Sequence, residues 1–130
     1  MAQDRTGMDE TATPELVAFL RARLRDDWNY ARDALVKDGR RWRAERTVLV
    51  LDTGAEIEDV FLGPADHMAR FDPERVFAEF NAKQAIVDAY EAGLETGAAT
   101  DYLQGLCKAI AWLAVVYADH ADYRESWRPS

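Results

Sequence analysis

Apolar side chains recur at steps of three and four near the start of the chain. Leu16, Leu20, Leu24, Trp28, Ala31 and Leu35 fall on one stripe, widened by Val17 and Phe19. That period predicts an amphipathic helix of about six turns. Thr13 supplies an N-cap, Pro14 fits the first helical position, and Glu15 sits near the positive end of the dipole. Asp38-Gly39 ends the helix, glycine accepting the left-handed conformation that follows a last turn.

The period then changes. Thr47 to Leu51 is a short β-branched run, Asp52 to Ala55 reads as a turn, and Ile57 to Leu62 offers a return strand. A β-hairpin over 42–62 follows, laid against the helices through Leu49, Leu51 and Phe61 or Leu62. Gly63-Pro64 breaks the strand and opens a short helix through Phe71. Asp72-Pro73-Glu74 repeats the opening grammar of the first helix, and Val76, Phe77, Phe80, Val87 and Tyr90 trace the apolar face of a second long one. Gly93 or Gly97 closes it. Thr100 or Asp101 caps a third, apolar nearly all round and so expected at the centre of the fold. Trp112 and Val116 on it either stay exposed and drive a dimer or lie under the tail. The predicted fold is mainly α (α+β): three long helices and a short one, an inserted hairpin around 42–62, and a docked C-terminal tail. Residues 1–12 read as a flexible leader and 13–130 as a single domain.

Docking of the tail rests on its composition. A disordered end is poor in aromatics. Residues 119–130 instead carry Tyr123 and Trp127 four apart, directly after the most apolar stretch, with His120, Arg124 and Arg128 around them. They concentrate a histidine, two aspartates and two arginines in one place.

Composition narrows the function classes. The chain has 130 residues, 48% hydrophobic and 31% charged, so it sustains a core without metal or disulfide. The lone Cys107 among apolar neighbours predicts a buried thiol and a reducing, cytoplasmic setting. The apolar run from Ala109 to Ala118 is half the length a membrane span needs. The net charge is −8, distributed as −2 over residues 1–13, +3 over 14–46 and −9 over 47–130. Such an acidic protein is a poor general binder of nucleic acid. Arg40, Arg41, Arg43 and Arg46 around Trp42 are the local exception, either a phosphate-contacting patch or a charged hairpin edge.

No phosphate-binding glycine loop, paired Cys-x-x-Cys, His-Glu-x-x-His helix or serine elbow occurs. No catalytic residue, metal or cofactor is assigned. Two histidines each follow an aspartate, Asp66-His67 and Asp119-His120. Joined by the fold they would make a metal or acid–base pair; separately each caps a helix end or hydrogen-bonds locally. His67, Arg70 and Asp72 surround the entry to the second long helix. They form either an anion pocket or a corner in which Asp72 caps, Arg70 or Arg75 pairs with a carboxylate, and His67 packs. Lys83 interrupts an apolar face, its stem along it and its ammonium in water.

At these residues the chain resembles a known family. Ala65 to Val76 and Tyr117 to Pro129 look like its two signatures, and Glu15 to Leu24 is similar to its opening helix. The likeness runs from about Met8 to Pro129, loosely over Trp42 to Leu62. Phe80-Asn81-Ala82-Lys83-Gln84 keeps a lysine common there, while Ala121 stands where proline is common. The family comprises small proteins of actinobacteria and their phages, known as a domain of unknown function. The resemblance implies that origin and no activity. It marks His67, Arg70, Asp72, Arg75, Lys83, His120, Tyr123 and Trp127 as candidate binding positions.

The expected role is a non-enzymatic protein-binding or regulatory module whose partner is another protein. Two alternatives stand beside it. One is a metal-assisted or acid–base enzyme using His67 and His120. The other is an acidic inhibitor of a nucleic-acid-binding protein, which requires carboxylates on one contiguous face.

Overall fold

The computed structural model describes residues 13–58 and 62–130. The expected leader and Phe61 lie outside the described residues. Helix α1 spans Thr13–Asp38, and strands β1 (Arg43–Glu45), β2 (Val48–Val50) and β3 (Glu56–Ile57) follow it. Then come α2 (Leu62–Arg70), α3 (Pro73–Thr96), α4 (Thr100–Val115) and a single 3-10 turn, Glu125–Trp127. The fold is mainly α, with a small antiparallel sheet in the order β1-β2-β3. The chain forms two compact units: residues through Leu24 with Ala82–Ser130, and Arg25–Asn81.

The apolar stripe of α1 is buried at Leu16, Leu20, Leu24 and Ala31, and half-buried at Trp28 and Leu35. The helix ends where its pattern ends. Gly39 takes φ +87° and its N–H reaches back to the Leu35 carbonyl at 2.9 Å. In the first unit Val87, Tyr90, Ile110, Ala111, Ala114 and Trp127 are buried with the first half of α1. In the second unit Leu49, Val50, Leu51 and Ala65 are buried.

Two expectations need correction in the sheet. Within the anticipated 42–62 hairpin an additional strand, β1, precedes the Thr47–Leu51 run, with Glu45 opposite Val48 across a two-residue turn at Arg46-Thr47. Arg46 carries φ +60° there, in a place that glycine or asparagine ordinarily marks, so the sequence gives no turn signal. Among the described residues the anticipated return strand is Glu56–Ile57, paired with β2 through Leu49↔Ile57. Leu62 is not its end but the first residue of α2, because Pro64 is tolerated within a first helical turn.

Helix α3 closes at Gly97, not Gly93. Gly97 has φ +72° and the Ala98 N–H bonds the Gly93 carbonyl at 2.9 Å, a Schellman closure. Gly93 is buried inside the helix, where a Cβ would stand 2.8 Å from a Leu103 methyl. Helix α4 begins at Thr100 with Ala99 as its N-cap and no side-chain cap bond, so neither Thr100 nor Asp101 caps it. Nor is α4 enclosed. Ile110, Ala111 and Ala114 are buried, but Trp112 is 53% and Val116 72% exposed. Among the described residues no helix is long and apolar enough to cross a membrane.

Candidate functional site

The tail in the first unit is wound back by successive tight turns. Tyr117, Ala118, His120 and Tyr123 donate their N–H groups to the carbonyls of Ala114, Val115, Tyr117 and His120, each three residues earlier. The turn Glu125–Trp127 then presents Trp127, only 2% exposed, to α1. Phe19 is the hub. Its ring centroid lies 5.7 Å from His120, 5.8 Å from Tyr123 and 5.1 Å from Trp127. Tyr123 and Trp127 meet edge to face at 5.6 Å. These offset and T-shaped contacts let ring edges meet ring faces, as the aromatic quadrupole favours.

Cations cover the cluster. The Arg124 guanidinium lies 5.3 Å from the Trp127 ring and pairs with Glu15 on α1. Arg128 lies 5.8 Å from the Tyr123 ring and holds Glu125 through two hydrogen bonds of 2.9 and 3.1 Å. Those bonds hold the Glu125 carboxyl below its ordinary range. Burial pushes the Tyr123 phenol up. Its hydroxyl and the Trp127 Nε1 are enclosed, with no hydrogen-bond partner among the described residues.

His120 is approached by a donor at each ring nitrogen. The Asp122 N–H donates to Nδ1 at 3.0 Å, and Arg23 Nη1 stands 2.6 Å from Nε2. A neutral imidazole has one acceptor nitrogen, so these two donors compete for it. Arg23 also lies over the Phe19 ring at 5.3 Å. On the same unit Arg21 bridges Asp88 at 2.9 Å and Glu91 at 2.5 Å. Burial opposes its charge, but the two carboxylates outweigh that and raise its pKa. Cys107 is half-buried, its thiol raised by desolvation and partly offset by the Thr13 hydroxyl at 3.9 Å. Lys83 is half-buried on α3.

The second unit holds the other candidates. Asp72 is 9% exposed and uses both oxygens: Oδ1 accepts the Arg75 N–H and Oδ2 the Trp42 N–H, each at 3.0 Å. It therefore caps α3 and ties the chain entering β1 to that helix. The Glu74 N–H adds a bond to the Arg40 carbonyl at 3.0 Å, so the entering chain also occupies a free donor of the helix end. His67 lies against Phe71 at 4.9 Å, and Arg75 covers that ring's surface at 4.8 Å while pairing with Glu79 at 2.8 Å. Arg70 is exposed in the last turn of α2.

A cleft of about 680 Å³ opens beside Asp72, with Arg41, Trp42, Glu74, Leu51 and Glu56 in its lining. The charges near it are largely matched. Glu74 lies 3.6 Å from Arg40 and 3.4 Å from Arg41, and Arg43 pairs with Glu45 at 2.7 Å. The arginine-rich stretch around Trp42 is thus largely engaged with carboxylates.

The structure groups Tyr123, Trp127 and His120 in the first unit, where Lys83 also lies, and His67, Arg70, Asp72 and Arg75 in the second. Phe19 and Arg23, which hold the tail, were not singled out by sequence; the available signal was that Phe19 lies off the main α1 stripe. Among the described residues, no three His, Cys, Asp or Glu side chains come together as a metal-holding group. No curated protein and no solved structure matches the chain. The signature passages Ala65 to Val76 and Tyr117 to Pro129 both fall within residues 13–129, which match the model of a family of unknown function (DUF6221), and the chain belongs to that family.

Proposed function

We propose that this chain is a small non-enzymatic protein-binding module, cytoplasmic and associated with an actinobacterial phage or prophage, that engages its partner through the outward face of α4. The supporting observation is Trp112. A tryptophan 53% exposed, with Val116 one turn further on at 72%, is costly to leave in water and typical of an interface anchor. The tail aromatics serve differently. Trp127 is enclosed against Phe19 and ties the tail to α1, so it offers no surface to a partner.

The test compares affinity captures by wild type and a Trp112→Ala, Val116→Ala double variant, both verified as folded by circular dichroism. The reading predicts that a specific partner is recovered by wild type and lost with the variant. Equal recovery by both proteins removes α4 from the interface and ends this assignment.

A further inference from the structure

We propose that the outward strip of α4 binds a second copy of this chain, the two α4 helices running antiparallel about a two-fold axis. The inference rests on the reading of α4 as a protein-binding face and names the partner.

The strip is defined by spacing. Asp101, Gly105, Lys108, Trp112 and Val116 follow one another at steps of three or four, one helical face, and all five are exposed. Asp101 and Lys108 have no ion-pair partner among the described residues. They stand seven residues apart, about two turns or 10 Å along the axis. Put the two-fold axis midway between them, at Gln104 and Gly105. Asp101 of each copy then faces Lys108 of the other, and both ion pairs form at once, as an isologous contact demands.

Shape agrees with this register. At Gly105 a Cβ would meet nothing within 4 Å, so the backbone there is open to close approach by another helix. The same register carries each Trp112 toward the loop at the head of the other α4. There Gly97 is likewise free of neighbours within 4 Å, leaving room for an indole.

Charge selects the occupant. The chain carries −8, so two copies repel over most of their surfaces. The strip has one acid and one base and is formally neutral. A basic partner would be drawn to acidic surface, whereas this face complements a copy of itself, acid to base and base to acid.

Sedimentation velocity on the full chain, from micromolar to millimolar protein, tests the assignment. Wild type should self-associate to a dimer. Lys108→Asp sets two carboxylates against each other and should weaken dimerisation about tenfold or more. Adding Asp101→Lys to it restores opposite charges and should restore the dimer. A wild type that stays monomeric throughout, or a dimer indifferent to Lys108→Asp, overturns the proposal. So does a double variant that stays as weak as the single one. If the chain is monomeric yet Trp112→Ala, Val116→Ala still abolishes capture of a specific partner, the second copy is excluded and the α4 face stands. If capture is also unchanged, both readings fall.

Discussion

The Phe19 and Trp127 rings meet at 5.1 Å with a 46° tilt, linking the third residue from the C-terminal end of the family match to the first turns of α1. Phe19 serves three rings at once, so its worth exceeds the area it buries. Phe19→Leu keeps an apolar side chain but deletes the ring contacts to His120, Tyr123 and Trp127. The expected loss is about 1–3 kcal/mol of unfolding free energy in urea, from roughly 0.5–1.5 kcal/mol for each aromatic pair with incomplete additivity. A value indistinguishable from wild type would mean that the rings contribute area alone.

Asp72 is a double acceptor, and its variants should separate the two roles. Asp72→Ala removes the α3 cap, about 1 kcal/mol, and leaves the Trp42 N–H without its acceptor, about 1–3 kcal/mol more. Asp72→Asn retains one acceptor oxygen and should fall between wild type and alanine. Urea midpoints at neutral pH measure this. Equal losses for both substitutions would show that charge, not the pair of bonds, is what matters.

Tyr123 gives the fold an alkaline limit. Burial raises its phenol pKa in the folded chain, so the neutral form is favoured on folding. Its contribution is complete below the unfolded value of about 10 and is lost as pH rises through the higher folded value. Melting temperature should therefore drop more steeply in wild type than in Tyr123→Phe as pH rises from about 10 through the folded value. Parallel curves for the two proteins would place the phenol in water.

Gly39 and Gly97 share a positive φ but not a neighbourhood. A Cβ at Gly97 meets nothing within 4 Å, and Gly97→Ala should cost only the left-handed conformation, about 1 kcal/mol. At Gly39 the same Cβ would stand 2.2 Å from the Asp52 Cβ, so Gly39→Ala must also displace the turn after β2. It should cost about 1–3 kcal/mol more than Gly97→Ala. Equal losses in urea would contradict this account of the α1 exit.

What the sequence disclosed tracks how local the cause was. The helix start written by Asp72-Pro73-Glu74 and the stop at Gly39 need only neighbours in the chain, and α3 begins at Pro73. Tail docking was legible because Tyr123 and Trp127 have no cause to be apolar in solvent. The turn at Arg46 was not, since a positive φ at arginine is imposed by strand pairing and not by propensity. The exposed side of α4 was hidden for a related reason. An apolar residue such as Trp112 reads alike whether it faces a core or a partner, and only burial tells them apart. The meeting of Arg23 with His120 spans 97 positions and has no local signature.

The account depends on the C-terminal aromatics being packing elements and the α4 tryptophan being a surface one. Thermal unfolding of Trp127→Ala beside Trp112→Ala measures that contrast directly. Loss of a buried indole costs about 3–5 kcal/mol, or roughly 10–20 °C for a chain of this size, so Trp127→Ala should melt far below wild type. Trp112→Ala, at low protein concentration, should melt within a few degrees of it. Wild-type stability in Trp127→Ala, or a collapse of stability in Trp112→Ala, would contradict the account.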